Sequence, residues 1–165
     1  MRVFEETQRF TQWWLWLLLA VVSLAVLLPP LSQLAQTGNT DLRDLDTGYW
    51  IGLGTMALVV LLFVFMKLHT KIDEHGLSYQ FFPIHLRPKT LTWKEVDTIG
   101  VRTYKPLLEF GGWGYRIGRS GKALNVKGNK GIQIKLKNGD SLLIGTQKME
   151  EVRLILKKYQ QDERI

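Results

Sequence analysis

The stretch Trp13–Leu31 reads WWLWLLLAVVSLAVLLPPL and has no charged residue, and a second uncharged stretch, Thr47–Met66, reads TGYWIGLGTMALVVLLFVFM. A helix rises about 1.5 Å per residue, so each stretch is close to the roughly 30 Å thickness of a bilayer's hydrocarbon core. Both stretches are aliphatic on every side, which is not typical of soluble helices with one buried face. The sequence therefore predicts a hairpin of two transmembrane helices, at about 13–31 and 47–67.

The ends of the two stretches carry residues typical of a membrane interface. Aromatic rings, which favour that interface, stand where each stretch begins: Trp13, Trp14, Trp16, Tyr49 and Trp50. Pro29 and Pro30 predict the end of the first helix, where a missing backbone hydrogen bond costs least. A cleaved signal peptide is the alternative for the first stretch, but Glu5, Glu6 and the absence of a small-x-small cleavage site disfavour it.

Basic residues predict the orientation of the hairpin. Arg43 is the one basic residue in the loop between the stretches. By contrast, Arg2 and Arg9 precede the first stretch, and Lys67 and Lys71 follow the second. Short loops on the cytoplasmic side of a membrane carry an excess of Lys and Arg. We therefore expect a multi-pass protein of the cell (inner) membrane with both termini in the cytoplasm.

Charge and hydropathy divide the chain near residue 69. The formal net charge of the chain is +7, and the part after residue 67 contains 18 basic and 10 acidic residues, a net of +8. A segment of about 95 residues can bury enough surface to fold without cross-links, and the chain has no cysteine to provide them. We expect an anchor over residues 1–68 and a cytoplasmic domain over 69–165.

The hydrophobic period becomes two beyond His69, which predicts half-buried antiparallel strands. Three segments show the alternation: Leu77 to Phe81, Ile99 to Thr103 and Ile132 to Leu136. Asn138-Gly139 predicts a hairpin with a two-residue type I′ turn. Thr146 suits a helix N-cap, and an apolar stripe then predicts an amphipathic helix over about 147–162: Met149, Val152, Ile155, Leu156 and Tyr159.

This order of elements resembles the bacterial pleckstrin-homology-like (PH-like) membrane proteins, in particular small two-span members without an assigned activity. The resemblance covers most of the chain: two spans, an LTW step at Leu91–Trp93 before a turn, the stretch Tyr104–Val152, and a terminal helix. It implies an α+β chain whose two-helix hairpin precedes a bent, seven-stranded antiparallel barrel or sandwich capped by one helix.

Some eukaryotic members of that fold bind phosphoinositides through basic loops between early strands. The corresponding loop here, around residues 83–88, contains only His85 and Arg87, with Lys89 directly after it. This small number of basic residues disfavours an inherited phosphoinositide site.

A glycine-rich region holds the candidate site residues. Five of them are basic and predict a surface for anionic lipid or an acidic protein partner: Arg116, Arg119, Lys122, Lys127 and Lys130. Basic residues near an anionic leaflet each contribute about 1 kcal/mol, although such runs are commonly just solvated faces. Gly112, Trp113 and Gly114 predict either a ligand platform or a tight turn with a packed tryptophan.

Other chemistries find little support in the sequence. The glycines around residues 112–121 miss both the dinucleotide and the P-loop spacing, the histidines lack paired metal-ligand spacing, and no nucleic-acid motif accompanies the charge. We expect no cofactor, no metal, no nucleic acid and no enzymatic activity. The sequence predicts a membrane-anchored interaction module for a protein or lipid partner, leaving open a homo-oligomer or an accessory subunit that binds through Gly52, Gly54 and Ala57.

Overall fold

The computed structural model describes residues 3–37, 47–118 and 121–162. The chain divides into two compact units, one formed by residues 11–65 and the other by residues 1–10 together with 66–165. This division differs from the predicted boundary at residue 69, because the segment ahead of the first helix belongs to the β-rich unit.

The smaller unit consists of helices α1 (Trp13–Thr37) and α2 (Thr47–Phe65). Both are long and apolar enough to cross a membrane. Their side chains are largely exposed, with 6% of the apolar window of α1 and none of that of α2 buried, whereas a core helix of a soluble protein is mostly buried. The predicted end at the proline pair was wrong: α1 includes Pro29 and Pro30 and ends at Thr37.

The larger unit contains a four-stranded antiparallel sheet, which we call sheet A. Its strands are β1 (Phe4–Arg9), β2 (Lys67–Asp73), β3 (Gly76–Phe82) and β4 (Lys89–Thr92), in that spatial order. The side chains of Phe4, Glu6 and Gln8 alternate inward from β1. On β2, Leu68 and Ile72 are completely buried.

A five-stranded sheet, sheet B, completes the larger unit. Its strands are β5 (Val96–Thr103), β6 (Gly114–Gly118), β7 (Gly121–Asn125), β8 (Lys130–Leu136) and β9 (Ser141–Gly145), in the spatial order β5-β8-β9-β7-β6. Strands β7 and β9 pair in parallel, with Ala123 opposite Leu143. The predicted all-antiparallel architecture is therefore corrected to a mixed sheet.

Two helices cover sheet B. The short α3 (Pro106–Phe110) lies over a small core of Tyr104, Phe110, Ala123 and Leu143. Helix α4 (Met149–Asp162) packs against β1, β5 and β8. Its predicted stripe is confirmed, because Val152 and Leu156 are buried and the ring of Tyr159 lies 5.6 Å from that of Trp93.

The α+β class predicted from the sequence is confirmed in its coarse form, two apolar helices followed by β-sheets and a terminal helix. Nine strands are present among the described residues, and over those residues the two sheets stay separate without a closed barrel. The additional strand β1 comes from a segment that the sequence assigned to the anchor.

The hairpin predicted at Asn138-Gly139 is present between β8 and β9, but its turn type was wrong. Gly139 has φ 89°, and no non-glycine residue in the described chain has a positive φ, so Asn138 is not in the left-handed region that a type I′ turn needs. The Gly139 N–H donates to the Leu136 carbonyl at 2.9 Å. This is the turn-plus-glycine arrangement of a longer hairpin loop.

Candidate interaction surface

Two of the predicted basic residues lie on the edge hairpin of sheet B. Arg116 on β6 is paired with Ala123 on β7, and Ile117 is paired with Lys122. Cross-strand partners share a face of the sheet and neighbours along a strand alternate, so Arg116 and Lys122 lie on opposite faces. Both side chains are exposed.

The remaining basic residues lie at the other end of β7 or outside the described chain. Lys127 and Lys130 flank the β7–β8 turn, where the Gln147 side chain donates to the Lys127 carbonyl at 2.8 Å and the Thr146 N–H donates to the Lys130 carbonyl at 3.0 Å. Lys122 and Lys127 are separated by five residues, about 16 Å of extended chain. Arg119 is outside the described residues, and the structure does not bring the other four predicted cations into one patch.

Three of these cations have charge available for an external partner. Arg116, Lys122 and Lys130 are exposed, and none forms an ion pair with any residue that the structure describes. The Nε–H of Arg116 donates to the Trp113 carbonyl at 3.2 Å, which holds this side chain along the hairpin. Cations without an internal ion pair keep their electrostatic attraction for anions in solution or on a surface.

The glycine-rich step at residues 112–114 is a turn with a fastened tryptophan. Gly112 and Gly114 have φ values of 123° and 112°, a region that side chains rarely allow. The indole Nε1–H of Trp113 donates to the Gly128 carbonyl at 2.9 Å, and its ring is half-buried. These contacts join the start of β6 to the β7–β8 turn. Part of the Trp113 ring stays exposed, so the ligand platform remains a prediction.

A buried polar pair that the sequence did not indicate supports this turn. Asn125 is completely buried, its Oδ1 accepts the Gly114 N–H at 2.8 Å, and its Nδ2 donates to the Tyr104 hydroxyl at 2.9 Å. Burial raises the pKa of Tyr104 to about 12, so the phenol stays neutral at physiological pH. Hydrogen-bonded buried polar groups favour one arrangement of the chain, which here positions the strand that carries Arg116.

An ion pair fastens α3 next to the same hairpin. The Arg102 guanidinium lies 2.7 Å from the Glu109 carboxylate, and its Nε–H donates to Gln133 Oε1 at 3.0 Å. The other Glu109 oxygen accepts the Lys105 N–H at 2.7 Å. The hydrogen bond from Arg102 lowers the pKa of Glu109 below its ordinary value. This carboxylate therefore has a structural role at the start of α3.

A second polar cluster joins the N-terminal strand to the beginning of α4. Glu6 is only 7% exposed, and its carboxylate accepts the Thr146 hydroxyl at 2.6 Å and the Gln147 N–H at 2.9 Å. The Gln8 side chain donates to the Gly145 carbonyl at 2.7 Å. The predicted N-cap at Thr146 was wrong: α4 begins at Met149, and the Thr146 Oγ1 accepts the Lys148 N–H at 3.1 Å in the turn ahead of the helix.

His85 occupies the β3–β4 loop as a buried aromatic residue. Its ring meets those of Tyr79 at 5.8 Å and Tyr115 at 5.7 Å, both edge to face. Burial and the nearby charge of Lys89 lower the pKa of His85, which favours the neutral ring at physiological pH. The contact with Tyr115 brings this loop, which belongs to sheet A, against the edge strand of sheet B.

Other concave or titratable clusters are modest. A cavity of about 210 Å³ is lined by Val3, Lys71, Asp73, Glu74, His75 and Tyr159. The Lys71 ammonium lies 2.9 Å from Asp73, and their hydrogen bond lowers the pKa of Asp73. Within residues 3–37, 47–118 and 121–162, no group of three His, Asp or Glu side chains is arranged to hold a metal ion.

Comparisons with known proteins add no identity to this description. No family model matches the chain, and neither a curated protein nor a solved structure matches it. Any functional conclusion therefore depends on the residues and geometry described above.

Proposed function

We propose that the protein is a membrane-anchored, non-catalytic interaction module whose β-rich unit presents basic side chains to an anionic partner at the cytoplasmic face of the membrane. The observation that carries this proposal is that Arg116, Lys122 and Lys130 are exposed without an ion pair in the described chain, in a protein with two helices suited to cross a bilayer. The anionic partner favoured by these observations is the lipid headgroup layer itself.

The anchor makes weak electrostatic contacts effective. A tethered domain meets the nearby surface at a high effective concentration, so contacts too weak to recruit a free protein still orient a tethered one. The cytoplasmic leaflet is the anionic one, and the distribution of Lys and Arg around the helices supports placing the domain on that side. Charge and tether thus favour the same partner.

A PH-like architecture is part of this proposal. It is supported by a four-stranded antiparallel meander, a second sheet and a terminal helix packed against both sheets. The parallel pairing of β7 with β9 and the count of nine strands among the described residues are departures from the seven-stranded antiparallel arrangement. The fold analogy supplies an architecture for the module and no ligand.

The test uses the full chain in lipid nanodiscs. Because the chain has no cysteine, Ile117→Cys provides a unique labelling site on the strand that carries Arg116, at a side chain that is 71% exposed. We expect energy transfer from this label to a headgroup dye to rise when anionic lipid replaces neutral lipid, and to fall again at high salt. Charge reversal at Arg116, Lys122 and Lys130 should remove the dependence on lipid charge.

A matched variant reverses Lys94, Lys157 and Lys158, which changes the net charge equally at exposed positions on other elements. It should retain the lipid response, because Arg116, Lys122 and Lys130 are unchanged in this variant. Equal signals in neutral and anionic discs would contradict the lipid version of the proposal. If the reversed protein instead loses one protein partner in affinity purification from native membranes, the partner is an acidic protein.

An accessory subunit that acts through its helices is the second candidate. A groove of about 400 Å³ lies along α1 and α2, lined by Ser23, Val26, Leu27, Leu53, Met56, Ala57, Val60 and Leu61. A Cβ added at Gly52 or Gly54 would meet nothing within 4 Å. Gly52 and Gly54 lie on different sides of α2, because they are two residues apart in the helix, and each position is open for the close approach of another helix.

Substitution of Gly52 and Gly54 by Leu separates the two candidates. The substitutions are sterically free in the chain itself, so the protein should still insert and fold. Loss of a detergent-stable complex with no change in the lipid response of the Ile117 label would favour the accessory subunit. An unchanged complex would remove that candidate.

A further inference from the structure

The register of sheet A places three strand ends together. Arg9 at the end of β1 is paired with Lys67 at the start of β2, and Lys67 is paired with Phe82 at the end of β3. The chain connects to the hydrophobic helices through Arg9 and Lys67. Phe82 therefore lies at the end of sheet A at which the chain connects to both hydrophobic helices.

The short connection between α2 and β2 limits how far this end of sheet A can lie from a bilayer. Only Met66 separates Lys67 from the last residue of α2, Phe65, and a residue of extended chain covers at most about 3.6 Å. Neighbouring strands are about 5 Å apart. If α2 spans the membrane, Phe82 lies at most about 12 Å from the last residue of the span, and the loop begins one residue further on.

This loop, residues 83–88, exposes apolar side chains. Ile84 is 49% exposed and Leu86 is 76% exposed. Single exposed aliphatic residues are common on proteins. Two of them in one loop at this end of sheet A are suited to the interfacial layer of a membrane. Cations surround them: Arg87 and Lys89 are exposed, and the Lys67 ammonium lies 5.8 Å from the Phe82 ring.

The loop is held in shape before it meets any partner. The His85 N–H donates to the Phe81 carbonyl at 2.8 Å, and the Gln80 side chain donates to the carbonyls of His85 and Leu86 at 3.1 and 3.0 Å. The His85 ring is buried between two tyrosines while its neighbours on either side point outward. Preorganisation of this kind reduces the entropy lost on binding.

The opposite end of sheet A carries acidic residues in place of exposed apolar ones. The β2–β3 turn contains Asp73, Glu74 and His75, and Asp73 is paired with Gly76. This turn is six residues of β3 away from Phe82, about 20 Å. The acidic turn and the apolar, cationic loop give the sheet one end that suits an anionic bilayer and one that does not.

We propose that Ile84 and Leu86 insert into the interfacial layer of the bilayer that the helices cross, with Arg87 and Lys89 at the level of the phosphates. The inference deepens the proposed function, since it assumes the same membrane tether. It names a lipid surface as the partner of this loop. Insertion is driven by apolar burial and covalent proximity, so it does not need anionic lipid.

The test measures the depth of a label in the full chain. Leu86→Cys, labelled with an environment-sensitive fluorophore in nanodiscs, should show blue-shifted emission and several-fold stronger quenching by shallow nitroxide lipids than the same label at His75→Cys. His75 is the matched control, because its side chain is 79% exposed at the far end of the same sheet. Ile84→Cys provides a second site if the first variant does not fold.

Labels at residues 84 and 86 that are as accessible to water and as weakly quenched as the label at residue 75 would overturn the proposal. A loop label that is shielded from water but not quenched by nitroxide lipids would also overturn it, because a protein would then cover the loop. Quenching that persists in purely neutral lipid, while the Ile117 label ignores lipid charge, would support insertion and contradict the electrostatic function. The two proposals therefore fail separately.

Discussion

Glu6 is a carboxylate within a sheet interior, and its role is to join distant parts of the chain. It accepts two hydrogen bonds, from the Thr146 hydroxyl and the Gln147 N–H, so β1 and the start of α4 are connected across most of the sequence. Hydrogen bonds to charged groups are stronger than neutral ones, and a buried donor left without its acceptor is costly. The contact thus stabilises the larger unit more than an exposed acidic residue would.

Glu6→Gln replaces one accepting oxygen with a donating amide and leaves one of these two donors without a proper partner. We expect the free energy of unfolding to fall by about 1–3 kcal/mol, measured by thermal unfolding in detergent with near-ultraviolet circular dichroism. Glu5→Gln is the control, because the Glu5 side chain is 63% exposed and should change stability by about 0.5 kcal/mol or less. Equal effects of the two substitutions would refute the role given to Glu6.

Glu109 predicts a pH dependence of stability. Its pKa is lowered, first by the hydrogen bond from Arg102, so the carboxylate binds protons less tightly in the folded state than in the unfolded state. Its contribution is present above the unfolded pKa of about 4.3 and is lost as the pH falls through the folded value. The pair is partly exposed, so we expect about 0.5–1 kcal/mol.

The measurement compares the wild type with Glu109→Gln at neutral pH and at about pH 3. The difference in unfolding free energy should be present at neutral pH and should shrink in acid, as the pH falls below about 4.3 towards the lowered pKa of Glu109. A difference that stays constant over this range would show that the ion pair with Arg102 contributes nothing.

At the scale of elements, β1 determines whether the larger unit is complete. It is an edge strand paired with β2 over six residues and packed against α4. Without it, Leu68 and Ile72, which are fully buried, would lose their cross-strand neighbours Gln8 and Phe4. The domain that folds therefore includes residues on both sides of the hydrophobic helices.

Deletion of residues 4–9 tests the role of β1. We expect loss of the cooperative unfolding transition and rapid cleavage of the β-rich unit in limited proteolysis, because a buried strand becomes an exposed apolar edge. Removal of Arg2 alone, which precedes the strand, should leave both properties unchanged. A deletion mutant with wild-type protease resistance would mean that β1 is dispensable.

Elements with a strong periodic or compositional signal could be predicted from the sequence. The two apolar helices, the stripe of α4 and the β8–β9 hairpin each depend on local pattern. By contrast, β1 alternates Phe4 with polar Glu6 and Gln8, so its inward face is invisible to hydropathy. The parallel pairing of β7 with β9 and the continuation of α1 beyond Pro30 depend on contacts and context that no local pattern records.

The candidate site residues could likewise be predicted only where the signal is local in the sequence. The exposure of Arg116 and Lys122 could be expected from their residue type. Their separation onto opposite faces could not, because it depends on the register of β6 and β7. Asn125 lies between apolar neighbours in the sequence, and its hydrogen bonds to Gly114 and Tyr104 arise only in the folded sheet.

At the scale of the whole molecule, every functional proposal depends on the two helices crossing the bilayer with the β-rich unit in the cytoplasm. The absence of native cysteine makes this topology directly measurable, because each introduced cysteine is the sole reactive thiol. Residue 40, in the segment between the two helices, and residue 75, in the β2–β3 turn, are expected to lie on opposite sides of the membrane.

The most direct measurement is labelling of Thr40→Cys and His75→Cys with a membrane-impermeant maleimide in intact cells and in permeabilised cells. The account predicts that the cysteine at residue 40 reacts in intact cells, whereas the cysteine at residue 75 reacts only after the inner membrane is permeabilised. Reaction of residue 75 in intact cells, or recovery of the full-length chain in the soluble fraction without detergent, would contradict it.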